Sequence, residues 1–269
     1  MSRAQRTLRY GPTGDPGGPL VFRGARVIPD YSIVIPAYDE QELLPGTLAS
    51  VARAMAAVTR WTGEVVVVDN ASRDRTADIA RASGAYVVHE PHRQIARARN
   101  AGAAASRGRW LVFLDADTRL SGALLAATTD ALAGGRIAAG GAPIDFGRSP
   151  TAFLAALLRV FRAVQRRLGW AAGCYLFCRR DAFEAVGGFD ERLYATEELA
   201  LSHALRRWAR RRGLVMRVLG VSVSSSDRKL TWFSQRRIAW ASLLFAVAPW
   251  RLGRREACWL WYERPAPRA

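Results

Sequence analysis

The stretch "WLVFLDADTRL", Trp110 to Leu120, runs apolar for five residues and then sets two carboxylates, Asp115 and Asp117, on either side of one small alanine. Two other apolar runs end in acids. "YSIVIPA" is followed closely by Asp39 and Glu40, and "EVVVVD" closes on Asp69 with Asn70 behind it. Acids that converge repel each other and an anionic substrate unless hydrogen-bond donors or a divalent cation offset them. Paired oxygen donors suit a hard cation, and hard-metal ligation is the simplest account of Asp-Ala-Asp, with Ala116 leaving room beside the carboxylates. The alternative is that Asp117 caps the helix expected in "TRLSGALL".

The elements around these acids explain why they would meet. "YSIVIPA" (Tyr31 to Ala37) is a β-rich run ending at Pro36 and Ala37, after which Leu44, Leu48, Val51, Met55 and Val58 recur at helical spacing. "EVVVVDNAS" precedes a helix from about Thr76 to Ser83 that stops at Gly84. "AYVVHE" precedes another from about Gln94 to Gly108. Strands alternating with helices, and too uniformly apolar to face water, predict an α/β fold with a mostly parallel central sheet covered on both faces. Ligands of such sheets gather outside the carboxyl ends of the strands, so the three acidic clusters should face one crevice.

A chain of 269 residues that is 50% hydrophobic can bury a full core. Its formal charge of +17 is nearly all arginine, Lys229 being the only lysine, and is read as a surface property compatible with an anionic ligand, a membrane face or nucleic acid. Three cysteines and three scattered histidines give neither a disulfide framework nor paired zinc spacing, which points to a reduced, cytoplasmic setting. "GPTGDPGGP" reads as part of a flexible leader over 1–30 without the apolar core of a signal peptide.

The order "SIVIPAYDE", "VVVVDNASRDRTADIA", "ARARNAGAAASRGRWLVFLDADT" and "GGFDERLYATEELALSHALRR" resembles the family 2 glycosyltransferases of the GT-A fold, over roughly Tyr31 to Arg212. The resemblance implies a UDP- or GDP-sugar donor, a divalent metal (Mg²⁺ or Mn²⁺) and transfer with inversion. By the same resemblance Pro36, Ala37, Asp39 and Glu40 line the nucleoside pocket, Asp69 binds base or ribose, and Asp115 binds ribose or metal. Asp117 holds the metal, and Arg97, Arg99 and Asn100 lie where the chain closes over the nucleotide, unless they are the polar face of a surface helix. The acceptor-side base falls on Glu197 and Glu198, with Glu198 at the second position. There the family usually carries an aspartate, and the further acid of its motif is replaced by Ala200. Thr196 and the two acids also fit a plain helix start. Gly173 fits a loop that a substrate approaches closely, Gly187 and Gly188 a turn before the base-bearing helix. Cys174 and Cys178 read as core or strand residues. His203 follows the acids on their helix and reads as structural or surface unless it reaches the site.

The chain divides on this reading into the leader, a domain over 31–227 with a nucleotide-sugar half (31–118) and an acceptor half (119–227), and a basic and aromatic segment over 228–269. "IAWASLLFAVAPW", Ile238 to Trp250, is too short to span a bilayer but, flanked by arginines and followed by Trp259 and Trp261, suits a membrane interface or a helix packed on the domain. "SQRRIAW" is out of register with the Gln-x-x-Arg-Trp element of processive synthases, which favours single addition. "LRRWARRRG" (Leu205 to Gly213) and the tryptophan-rich segment from Trp232 to Trp261 combine guanidinium groups with interfacial aromatics and favour a lipid or lipid-linked acceptor at the inner face of the membrane, unless the arginines are a solvated helix face and the tryptophans ordinary core. A non-catalytic sugar-nucleotide-binding relative is the main alternative. A pyrophosphorylase should open with a glycine-rich phosphate loop where this chain has "PAYDE", and a nucleic-acid-binding protein should not gather acids in its crevice.

Overall fold

The computed structural model describes residues 28–145, 171, 173–226, 228, 237 and 253–262, the side chains of 260 and 261 excepted. The first half alternates as expected: β1 (Tyr31–Ala37), α1 (Leu44–Ala57), β2 (Gly63–Asp69), α2 (Thr76–Ala82), β3 (Tyr86–His89), α3 (Ile95–Ala105) and β4 (Trp110–Leu114). The second half holds β5 (Thr118–Arg119), α4 (Gly122–Ala133), β6 (Ile137–Gly141), β7 (Ile144–Asp145) and β8 (Tyr175–Arg179). It continues with α5 (Arg180–Ala185), α6 (Glu197–Arg210), β9 (Val215–Val218), β10 (Val223–Ser225) and the closing turn α7 (Trp259–Tyr262).

Seven strands form one sheet in the order β3-β2-β1-β4-β8-β6-β9, and β5, β10 and β7 form a second, three-stranded sheet. The pairs β3/β2, β2/β1, β1/β4 and β6/β9 are parallel, whereas β8 runs antiparallel to both neighbours. The expected nucleotide and acceptor halves therefore share one sheet. Alternation along β1 divides the core: Ile33 and Ile35 pack with Leu44, Leu48, Leu124 and Leu125 of α1 and α4. Val34 packs on the other face with Ala96, Ala98, Phe183, Leu201 and Leu205 of α3, α5 and α6. Both faces are covered, so the strands read as continuous apolar runs.

Two details depart from the sequence reading. α3 ends at Ala105 rather than near Gly108: Ser106 is already extended and bonds back to Ala103 O, and Arg180 braces the exit, donating to Ala103 O at 3.0 Å and, beyond the helix, to Gly108 O at 2.6 Å. Gly108 N meanwhile donates to Ser32 Oγ at 2.7 Å and ties the chain to β1. The strand β3 lies at the sheet edge, and Tyr86 on it is 62% exposed, so it is not sealed on both faces.

Candidate functional site

The carboxyl ends of β1, β2 and β4 lie side by side, Pro36 and Ala37 in register with Val68 and Asp69. The two loops leaving β1 and β2 are laced together. Asp39 takes a positive φ of 48° and its carboxylate accepts from Arg73 N at 2.7 Å, while Glu40 N donates to Thr76 Oγ1 at 2.7 Å. Asp69 accepts from Ser72 N at 3.2 Å, and its other oxygen lies 3.2 Å from His89 Nδ1. Asn70 donates to the carbonyls of Glu90 and His92, which holds the exit of β3 beside the crevice.

Beyond β4 the chain turns tightly, Thr118 N donating to Asp115 O at 3.1 Å. Asp117 accepts from Ser226 Oγ at 2.8 Å, and Ser226 N donates to Asp117 O at 3.2 Å. Pairing of β10 with β5 delivers Ser226 to this point. Two residues on, Arg228 makes a bidentate bond to Glu40 at 2.9 and 2.7 Å and lies 3.6 Å from an oxygen of Asp117. Burial opposes the Arg228 charge, but the bonds to Glu40 and the charge of Asp117 outweigh it and hold the guanidinium ionised. Ser121, not Asp117, caps α4, accepting from Leu124 N at 3.1 Å, so the capping alternative for Asp117 falls.

The donor set suits a hard divalent cation. Asp115 and Asp117 keep 31% and 13% of their side-chain surface exposed at the mouth, and both offer oxygen donors. Among the described residues no three His, Cys, Asp or Glu side chains form a cage. Mg²⁺-type ions are commonly held in that way, by one or two carboxylates with water and substrate phosphate oxygens filling the rest.

On the acceptor side a buried guanidinium joins the two halves of the site. Arg99 of α3 donates to Glu197 Oε1 at 2.6 Å and to Asp115 Oδ1 at 2.8 Å. Burial opposes its charge, and Asp115 and Glu197 more than restore it. Burial and the neighbouring Glu198 charge push the Glu197 carboxyl above the usual carboxylate range, against the pull of Arg99. Glu198 is half-buried, and no hydrogen bond among the described residues fixes its carboxylate. Thr196 sits in the left-handed region at φ 61° and makes no side-chain cap, so α6 does not begin as an ordinary capped helix.

The remaining expected residues are placed as follows. Asn100 spans the Gly-Gly-Phe-Asp turn, accepting from Phe189 N at 2.9 Å and donating to Phe189 O at 2.9 Å and to Glu191 at 3.0 Å. Arg97 lies at the surface, 3.4 Å from Glu191. Gly173 has a φ of 91°, and a Cβ there would meet Ile144 Cδ1 at 2.5 Å, so backbone conformation and internal packing explain the glycine without a substrate. Cys174 and Cys178 are buried, as read from the sequence, and burial pushes the Cys174 thiol up to about 12. His203 is exposed on α6 among Arg206, Arg207, Arg210 and Arg211, a poor setting for a cation.

Sequence reasoning missed Ser226 and Arg228. The expected boundary between 227 and 228 falls between them, although both reach Asp117. The polar run "SSSDRK" was the available signal, but only the β10–β5 pairing brings it to the site. The segment Ile238–Trp250 lies outside the described residues. Beyond it, Arg237 stacks over Trp259 at 4.5 Å, and residues 253–262 pack on the domain. Cys258 and Tyr262 are buried against Ala195, and Arg93 donates to Tyr262 O at 2.7 Å. Among the described residues no helix is long and apolar enough to cross a membrane.

Comparison with known proteins agrees with this architecture. Glycosyltransferase AglE of Haloferax volcanii is 30% identical over 179 residues, covering 62% of this chain and 58% of that protein. The chain thus spans well under two thirds of the length of that relative, and only 23% of a TPR repeat-containing protein of Synechococcus elongatus to which it is 38% identical over 101 residues. In three dimensions it is similar to a mannosyltransferase of Pyrobaculum calidifontis solved with GDP-Man and Mn²⁺, at 22% identity and a TM-score of 0.58, over 87% of this chain and 70% of that one. It is similar also to glucosyl-3-phosphoglycerate synthase of Mycobacterium tuberculosis solved with Mn²⁺, UDP and glucosyl-3-phosphoglycerate, at 21% identity and a TM-score of 0.54, over 85% and 87% of the two chains. The fold is that of the GT-A glycosyltransferases. The sequence model of glycosyl transferase family 2 matches residues 32–187, more than half of the chain, and the protein belongs to that family.

Proposed function

We propose that this glycosyltransferase moves one sugar from a UDP- or GDP-sugar to a hydroxyl of a lipid or lipid-linked acceptor, with inversion and with a divalent metal, from the cytoplasmic face of a membrane. The observation that carries the reading is Arg99, which links Asp115 at the mouth beyond β4 to Glu197 at the head of α6. Donor and acceptor machinery would then meet across one buried guanidinium. Pro36, Ala37, Asp39, Glu40 and Asp69 would line the nucleoside pocket. Asp117 and Asp115 would hold the metal, which when bound supplies positive charge to a leaving diphosphate. Arg228, already beside Asp117 and Glu40, is placed to add a second positive charge there. Glu198, whose carboxylate no described hydrogen bond fixes, would take the proton of the acceptor hydroxyl as it attacks the anomeric carbon from the face opposite the diphosphate. Glu197, held by Arg99, would set the position of Arg99 and the start of α6. Support from relatives is that the two structural neighbours were solved with GDP-Man or UDP and with Mn²⁺.

The test is calorimetry of UDP and of GDP, each with and without Mn²⁺, on the native chain and on Asp117→Asn. The native chain should bind one nucleotide with a strong metal-dependent gain, and the variant should keep its fold and lose that gain. Equal affinity with and without Mn²⁺ in the native chain, or an unchanged gain in the variant, would overturn the metal assignment.

A further inference from the structure

α6 has two contrasting faces. Leu201, Ser202, Leu205 and Ala209 are buried, and Trp208 packs on the same core. On the opposite side His203, Arg206, Arg207, Arg210 and Arg211 line an open groove of about 400 Å³. At a rise of 1.5 Å per residue the stripe runs for about 12 Å. Among the described residues no carboxylate pairs with Arg206, Arg207, Arg210 or Arg211. Four guanidinium groups without a carboxylate partner among the described residues repel one another on one helix face, and no contact of those residues offsets that cost. Arg207 and Arg210 in the last turn gain a little from the helix dipole, which does not account for the rest.

We infer that this arginine stripe is the surface by which the protein docks on an anionic bilayer, with α6 lying along the lipid headgroups. The inference rests on the proposed lipid-linked acceptor and says which face meets the membrane. Two observations favour a bilayer over a small anion or a nucleic acid. The groove is lined by four arginines and a histidine, with no aliphatic or aromatic wall of the kind that encloses a small ligand. The one aromatic of this stretch, Trp208, is turned into the core with Arg212 stacked 4.3 Å over its ring, so the stripe presents no base-stacking platform.

The experiment is co-sedimentation of the full chain with phosphatidylcholine vesicles containing or lacking 30% phosphatidylglycerol, as order-of-magnitude conditions for an anionic leaflet. A variant with Arg206, Arg207, Arg210 and Arg211 all changed to Gln is compared with one carrying Gln at the exposed Arg53, Arg60, Arg81 and Arg136. Both lose the same charge. The native chain should bind only anionic vesicles, and less at high salt. Each headgroup-facing arginine contributes about fivefold, so the stripe variant, which lacks four, should lose roughly 600-fold in partition and the control far less. Nucleotide binding with Mn²⁺, followed by calorimetry, should be unchanged in both variants, which separates this inference from the assignment of the donor site. Equal losses in the two variants would assign the attraction to net charge and overturn the proposal. So would no vesicle binding by the native chain, stripe-dependent binding of inorganic pyrophosphate without vesicle binding, or stripe-dependent retention on duplex DNA at salt that releases vesicles.

Discussion

Glu197 and Glu198 are adjacent in sequence and differ in setting. Glu197 is 4% exposed and bonded to Arg99, whereas Glu198 is half-buried with no described hydrogen bond. A general base must reach the proton it takes, and a carboxylate already spent on a buried guanidinium is poorly placed to do so. Glu198→Gln should therefore lower turnover by something like 10²- to 10⁴-fold while nucleotide affinity stays near native, as initial rates and calorimetry on the same preparation would report. Near-native turnover would refute the assignment of Glu198. The signature of the alternative is distinct: if Glu197 were the base, Glu197→Gln would be the inactive variant and Glu198→Gln the active one. The burial contrast was not legible in "TEEL", because which glutamate faces Arg99 depends on the angle at which α6 leaves its left-handed Thr196.

At the scale of elements, the site depends on how α3 is fastened to the turn before α6. Asn100 holds that turn through both the N–H and the carbonyl of Phe189. Gly188 has a φ of 72°, and a Cβ there would come within 2.8 Å of Asn100 Oδ1. Gly188→Ala should thus strain the backbone by roughly 1–2 kcal/mol and also displace the Asn100 amide. A fall in the urea midpoint of at least that size is expected, together with a loss of turnover larger than the loss of nucleotide affinity, because the turn leads to α6 and not to the nucleoside loops. An unchanged midpoint would mean that the turn is not under this constraint. The glycine pair was legible as a turn from sequence, since few other residues tolerate such φ. Asn100 as its clasp was not, because the two meet only when α3 and α5 pack on the same sheet face.

For the molecule as a whole, residues 253–262 return to the domain and cover the loop ahead of α6. The Tyr262 ring meets Tyr194 at 5.6 Å, its hydroxyl accepts from Ile95 N at 3.4 Å, and Cys258 is fully buried beside Ala195. Tyr262→Ala should leave both main cores intact and speed amide exchange at 193–196 by roughly tenfold or more, a local loss of about 1.4 kcal/mol. Exchange equal to native would show that the closing turn does not brace this loop. The same geometry separates what was determined locally from what was not. The alternation of apolar runs and helical spacing specified the parallel sheet, its two covered faces and the clustering of Asp39, Glu40, Asp69, Asp115 and Asp117 at one edge. Burial periodicity and strand direction are properties of short stretches of chain, and those stretches contain them. The partners of those acids were decided only by tertiary structure. Arg99, bonded to Asp115, reaches Glu197 across a separation in sequence of 98 residues, and Arg228 reaches Glu40 across 188. Such contacts depend on the packing of α6 against α3 and on the pairing of β10 with β5, and no local pattern encodes which of many arginines will be desolvated beside a carboxylate.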